Sequence, residues 1–268
     1  PLLILYSILS LDSRAFTAIL VAFGFIPFLE IFTKGSTENL DSIQEAFAKK
    51  DRFYDFLIYG LVPMQYLIAY TFLTHVTHPP DSSLYILGAT TAFGISCGII
   101  GINAAHELGH RSSFGEQWMS KALLLSTFYM HFYIEHNRGH HTKVSTDGDP
   151  ASARFGESVY SFYFRSIFSG YVSAWNLERE NLLRQGRSFY SFQNEMIFFT
   201  VLQILLLVTI LVVFGWKSLL LYFAACLIGI LLLETVNYIE HYGLRRKKQN
   251  GRYERTMPTH SWNSNHPL

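Results

Sequence analysis

The sequence predicts an all-α protein, a polytopic bundle of transmembrane helices with a cytoplasmic, histidine-rich cap. Three observations carry this. Five stretches of roughly 20 residues are apolar all round, the length that crosses a bilayer. Charged residues make up only 15% of the 268 residues and aromatic residues 16%, whereas a soluble domain carries about 25% charge. Lys, Arg and His gather in the polar segments between the apolar ones. The mean hydropathy of +0.19 is therefore an average over an apolar bundle and a polar cap.

The same figures exclude other classes. A disordered chain needs high charge and few aromatics. A net charge of +1 leaves no general basicity for nucleic acid. Two cysteines make no disulfide scaffold.

In chain order, LLILYSILSL (2–11) reads as the tail of a partial span, with its beginning before Pro1. The spans follow near 15–32, 56–74, 84–105, 196–214 and 218–239. Each lacks an amphipathic period, as expected of helices buried in lipid or in a bundle. The stretch 118–135 is long enough to cross but carries Lys121, His131 and several hydroxyls. The polar segments 106–195 and 240–268 form the cap around it.

Cytoplasmic loops are rich in Lys and Arg. Segment 33–55 has four, 106–195 has nine and 240–268 has six, whereas 75–83 has none and the turns at 12–14 and 215–217 have one each. With the three rich regions on one side, the topology closes only if 118–135 does not cross. It is expected to be an interfacial or cytoplasmic helix.

Six of the eleven histidines then fall at one membrane face, in HELGH (106–110), EHNRGHH (135–141) and NYIEHYGL (237–244). On a helix His106 and His110 share a face and can hold one metal; HELGH also fits the HExxH zinc-protease pattern, with Glu107 as base. His136 and His140 share a helix face, with His141 turned about 100° away. Three imidazoles in two directions suit two metal ions better than one. A helix at 118–135 that crossed would put the first two boxes on opposite faces, so ligand convergence agrees with the charge bias. Glu107, Glu135, Asp149 and Glu240 are candidate partners for imidazole N–H groups. His75 and His78 lie in the outer loop, His131 reads as structural, and Cys97 and Cys226 read as free buried thiols.

HELGH, EHNRGHH followed by DPASARFGES (149–158), NYIEHYGL and HSWNSNH (260–266) together resemble the integral-membrane alkane 1-monooxygenases. These belong to the histidine-box family of membrane desaturases and hydroxylases. The likeness runs from about residue 84 to the end. It implies six spans in the full protein and a non-haem di-iron centre (two iron ions) held by His106, His110, His136, His140, His141 and His241. It also implies O2 and two electrons used to hydroxylate the terminal carbon of an n-alkane, with rubredoxin and its reductase as donors, in the bacterial inner membrane with the site facing the cytoplasm. The family carries a further box of the form LQRHSDHH after HSWNSNH, so more ligands are expected beyond Leu268, and the 268 residues read as one oxygenase domain cut short at both ends. His260 and His266 are expected to be structural.

An alkane has no polar handle, so recognition must be apolar contact, with ~0.8 kcal/mol per buried CH2. Phe93, Tyr129 and Phe132 are candidate walls. The basic run with Arg245, Arg246, Lys247 and Lys248 reads as a leaflet anchor or as a docking surface for an acidic electron donor. Competing readings are a lipid desaturase or hydroxylase of the same family, an intramembrane zinc protease, and a metal transporter.

Overall fold

The computed structural model describes residues 1–35, 51–80 and 82–264. Lys49, Lys50 and His266 lie outside them. The described chain is a helical bundle whose one small sheet is a two-stranded ribbon.

Four helical stretches are long and apolar enough to cross a membrane: Ser13–Glu30, Arg52–Thr77, Ser83–Gly109 and Glu195–His241. The helix Leu2–Leu9 precedes them. Capping residues set their starts: the Asp51 carboxylate accepts from Phe53 N–H and Asn194 Oδ1 from Met196 N–H.

The last stretch holds both C-terminal predicted spans. Its 47 residues would extend about 70 Å if straight. Yet Glu195 at its start binds Arg138, and His241 at its end packs 5.0 Å, ring to ring, from His140. The two ends therefore meet, and the chain reverses at Gly215 (φ 82, ψ 171), a conformation essentially reserved for glycine. Thr77 against Ser218 (3.1 Å) and Tyr70 against Phe214 mark the opposite end of the bundle.

Segment 118–135 is a helix and a return folded into the bundle, where a helix at the interface or in the cytoplasm was expected. Helix Phe114–Ser126 starts beside Tyr59, which donates to Glu116 at 2.7 Å. It descends along the Arg52–Thr77 helix to Ser126, whose carbonyl accepts from Tyr222. The chain reverses at Phe128 (φ 55), and by Tyr129 it is back beside Glu234. Non-helical backbone at such depth is tolerated only inside protein, and Ser126, Thr127, Tyr129 and Met130 are all buried. Its serines and threonines satisfy local carbonyls, which explains why this stretch is less apolar than a true span.

The helices bearing HELGH and NYIEHYGL cross on glycines. A Cβ at Gly229 would sit 2.6 Å from Cys97 Cβ and 2.8 Å from the Gly98 nitrogen. Small residues allow this approach in membrane bundles. We expect Gly229→Val to force the pair apart and cost about 1–3 kcal/mol, seen as a lower melting temperature in detergent. An unchanged melting temperature would show that the crossing tolerates volume.

Candidate metal centre

The first histidine box ends a span. Helix Ser83–Gly109 carries a π-helical stretch, Cys97–Asn103, directly before HELGH; such distortions recur at functional sites. His106 and His110 share a face as expected, with ring centroids 4.7 Å apart. Arg111 then fixes the end of the box, binding Asp55, Glu116 (2.9 Å) and Glu107 (3.4 Å).

The second box departs from the expected geometry. Glu135–His140 is π-helical, and the His141 N–H reaches back five residues to the His136 carbonyl. An i→i+5 turn stacks residues five apart rather than four. His141 therefore joins His136, with their Nε2 atoms 2.9 Å apart, while His140 turns toward Asp149. His136 and His140 still share a face, their rings stacked at 5.4 Å; what changes is His141, which was expected to be rotated away and instead also meets His136.

The two boxes converge. The Nε2 atoms of His110, His136 and His141 form a triangle with edges of 3.2, 3.1 and 2.9 Å. Ligand atoms of His106, His110, His136 and His141 all lie within 4.8 Å of one another. In the tautomers that present a lone pair from each ring, the three repel unless a cation lies among them. Two nitrogens each about 2.1 Å from one ion and at right angles around it are about 3.0 Å apart, which matches the triangle. The donor set thus fits a transition-metal ion of the kind imidazoles favour.

Beside this group lie His140 and His241, both buried. The His140 Nδ1–H donates to Asp149 (3.0 Å), which also accepts from Ala151 N–H (3.1 Å) and Ser152 Oγ. The His241 Nδ1–H donates to the His260 carbonyl at 3.3 Å. In each ring one nitrogen is held by the protein and Nε2 is left as the donor atom. A cavity of about 320 Å³ opens among His106, His136, His140, His141 and His241, walled by Phe132, Val144, Leu233 and Val236.

Electrostatics keep most of the cap histidines neutral. Burial, then the charge of His140, pushes the His136 pKa far down; burial, then His110, brings His141 to about 4. For His140 burial acts the same way, but the Asp149 hydrogen bond and charge outweigh it and raise the pKa. Asp149 is correspondingly lowered despite its burial, by His140 and Ser152.

Of the four carboxylates expected beside imidazoles, Asp149 meets one directly and Glu240 lines the cavity. Glu107 is 58% exposed and pairs with Arg111. Glu135 is buried, with Oε1 unbonded among the described residues, and burial then Asp149 raise its pKa to about 7. Sequence reading missed Glu234, whose Oε2 is likewise unbonded and which lines a pocket of about 20 Å³ with Glu135. Its placement inside an apolar span was the available signal.

Phe132 stacks on His136 at 4.7 Å and is a wall. Tyr129 is held by Glu234 at 3.1 Å. Phe93 is not a wall: it stacks on Phe72 at 4.7 Å in the bundle core. His260 is structural as expected, its Nδ1 accepting from Met257 N–H, and Trp262 caps the last span by donating to the carbonyls of Glu240 and Tyr242. His131 is buried between Tyr129 and Tyr171, and His75 bonds Thr71 at the far end of the bundle. Arg246 is no free docking charge, because its guanidinium binds the carbonyls of Thr142 and Glu254. Arg245, Lys247 and Lys248 remain exposed around an Asn250–Gly251 hairpin, whose two positive φ angles are those of a type I′ turn.

Asp149→Asn keeps the shape but loses the charge that orients His140. We expect metal affinity to fall about 10–100-fold, measured by competition with a chelator. Unchanged affinity would make Asp149 a loop anchor only.

The chain is 39% identical over 249 residues to an alkane 1-monooxygenase of Ectopseudomonas oleovorans, covering 92% of this chain and 62% of that protein. It is 39% identical over 248 residues to an alkane 1-monooxygenase of Pseudomonas putida and 37% over 247 to alkane 1-monooxygenase 1 of Alcanivorax borkumensis, covering 61% of each. The chain thus spans about three fifths of the length of these relatives. The fatty acid desaturase family model matches residues 81–268, the part that carries HELGH, EHNRGHH and NYIEHYGL, and the chain belongs to that family.

Proposed function

We propose that this chain is the greater part of a membrane-bound di-iron monooxygenase that converts medium-chain n-alkanes to 1-alkanols. The observation that carries the reading is the convergence of two histidine boxes on one triangle of Nε2 atoms, 2.9–3.2 Å apart, beside an apolar-walled cavity. The names of the relatives support the substrate.

The overall change is alkane, O2, two electrons and two protons to alkanol and water. His106, His110, His136 and His141 would hold one iron, and His140 and His241 would contribute to a second, with further ligands from beyond residue 268. When bound, the two irons supply the oxygen activation that no side chain can. The chain's own part is positional. Asp149 and the His260 carbonyl fix the His140 and His241 tautomers. Phe132 covers His136 and keeps water from that ring. Leu233 and Val236 offer a chain only dispersion and burial, which suits a substrate without polar atoms.

The test is product analysis with iron-loaded membranes of the full-length protein and a reductant system. Primary alcohols from hexane to hexadecane are expected; their absence overturns the alkane reading. The family description favours a second reading, a lipid desaturase or hydroxylase, which would give unsaturated or hydroxylated acyl chains in the same assay.

We place the site at the cytoplasmic face of the bacterial inner membrane, on the Lys and Arg bias. The electron donor is taken to be rubredoxin, docking on the exposed Arg245, Lys247 and Lys248. Reversing those three charges should raise the donor's apparent KM in a salt-dependent way. An unchanged KM would leave them a leaflet anchor.

A further inference from the structure

Helix Val159–Arg184 spans 26 residues between the second box and the next span. Its buried seam runs every fourth residue, through Phe162, Ser166, Gly170, Ala174, Glu178 and Leu182. Across the helix from that seam, two residues away, a second row stays uncovered: Tyr160 and Phe164 are 74% and 70% exposed, and Tyr171 continues the row. A third arc is more polar. There Ser173, Asn176, Arg179 and Glu180 face Lys143 across a cleft of about 720 Å³, which Phe168 and Val172 also line.

The contacts of this helix set its level. Tyr163 bonds Thr235 at 2.6 Å and Phe162 packs on Tyr238. Both partners lie within the last seven residues of the span ending at His241, about 9 Å of helix. At its other end Glu178 accepts from the Glu195 N–H, the first residue of the next membrane helix in the chain. The helix therefore runs across the bundle at the height where two spans leave the apolar zone. Trp175 meets Phe189, and the exposed Tyr190 and Phe192 extend the aromatic row up to Glu195.

We propose that Val159–Arg184 lies in the membrane interface, with Tyr160, Phe164 and Tyr171 inserted among lipid headgroups and upper acyl chains. The occupant of the aromatic row is the bilayer. Ile239 of the adjoining span, next to the Tyr238 that meets Phe162, is likewise exposed. The row is aromatic, as interfacial belts are, and one face of the helix is apolar while the next is polar, the pattern of in-plane helices. A protein partner would not need the row to sit at this height.

Spin labels on Tyr160→Cys, Phe164→Cys and Asn176→Cys in the full-length protein test it, since Cys97 and Cys226 are buried. In nanodiscs of phosphatidylethanolamine and phosphatidylglycerol, the labels at 160 and 164 should collide severalfold more with oxygen than with a water-soluble nickel chelate. The label at 176 should show the reverse. Equal chelate access at all three sites overturns the proposal, as does protection of 160 and 164 by added electron-donor protein but not by lipid. Quenching of intrinsic tryptophan by brominated lipids in the cysteine variants, unchanged from the parent protein, confirms that each is folded.

Discussion

His136→Ala in the full-length protein is expected to abolish hydroxylation and to strip metal. His136 stands at the centre of the group: its Nε2 meets those of His110 and His141, and its ring packs on His106 at 4.4 Å and on Phe132 at 4.7 Å. Removing the ring takes away a donor atom and opens the floor of the cavity to water. Losing an outer partner of a ligand already costs about 10–100-fold in metal affinity, and losing the ligand itself should exceed that. Metal analysis and product yield are the readouts. His131→Ala is the control, because its ring is buried between two tyrosines outside the group and its loss should leave metal content intact. Full metal occupancy in His136→Ala would end the assignment.

The crossing helices and the meeting of the boxes were legible because both rest on patterns of low ambiguity. An apolar run of 20 residues has few alternatives, and imidazoles near one membrane face have few other uses. What escaped was register. Nothing in EHNRGHH announces that its helix closes through five residues, and that single change brings His141 onto His136 as well as His140. The re-entrant turn at Phe128 was hidden for a related reason. Its depth is set by contacts with Tyr66 and Tyr222, which are distant in sequence. Arg246 read as a surface charge because composition cannot distinguish a solvated arginine from one holding carbonyls. The Asn250–Gly251 turn was readable but unread, since Asn-Gly between short polar segments is a local hairpin signal.

Glu178→Ala should weaken fold and centre together. Glu178 has its side chain 1% exposed and accepts from Arg138 Nη1 at 2.6 Å and from the Glu195 N–H at 3.1 Å. Arg138 gives its other branch to Glu195 at 2.6 Å, and Glu195 also holds Lys121. Four charges thus tie the in-plane helix, the last membrane hairpin and the re-entrant helix to the residue midway between His136 and His140. Breaking a buried pair costs about 3–5 kcal/mol. Arg138 is 38% exposed and keeps Glu195, so about 2–4 kcal/mol is expected after discounting for solvent. Thermal unfolding in detergent gives that loss. Metal retention gives the second readout, because Arg138 sets the turn that brings His141 onto His136. Glu178→Gln keeps the side-chain shape and one acceptor oxygen but loses the charge and one of the two contacts, which use different carboxylate oxygens, and should fall between the parent and the alanine variant. A destabilised alanine variant that still binds metal with the parent affinity would separate the network from the centre and leave it a scaffold alone.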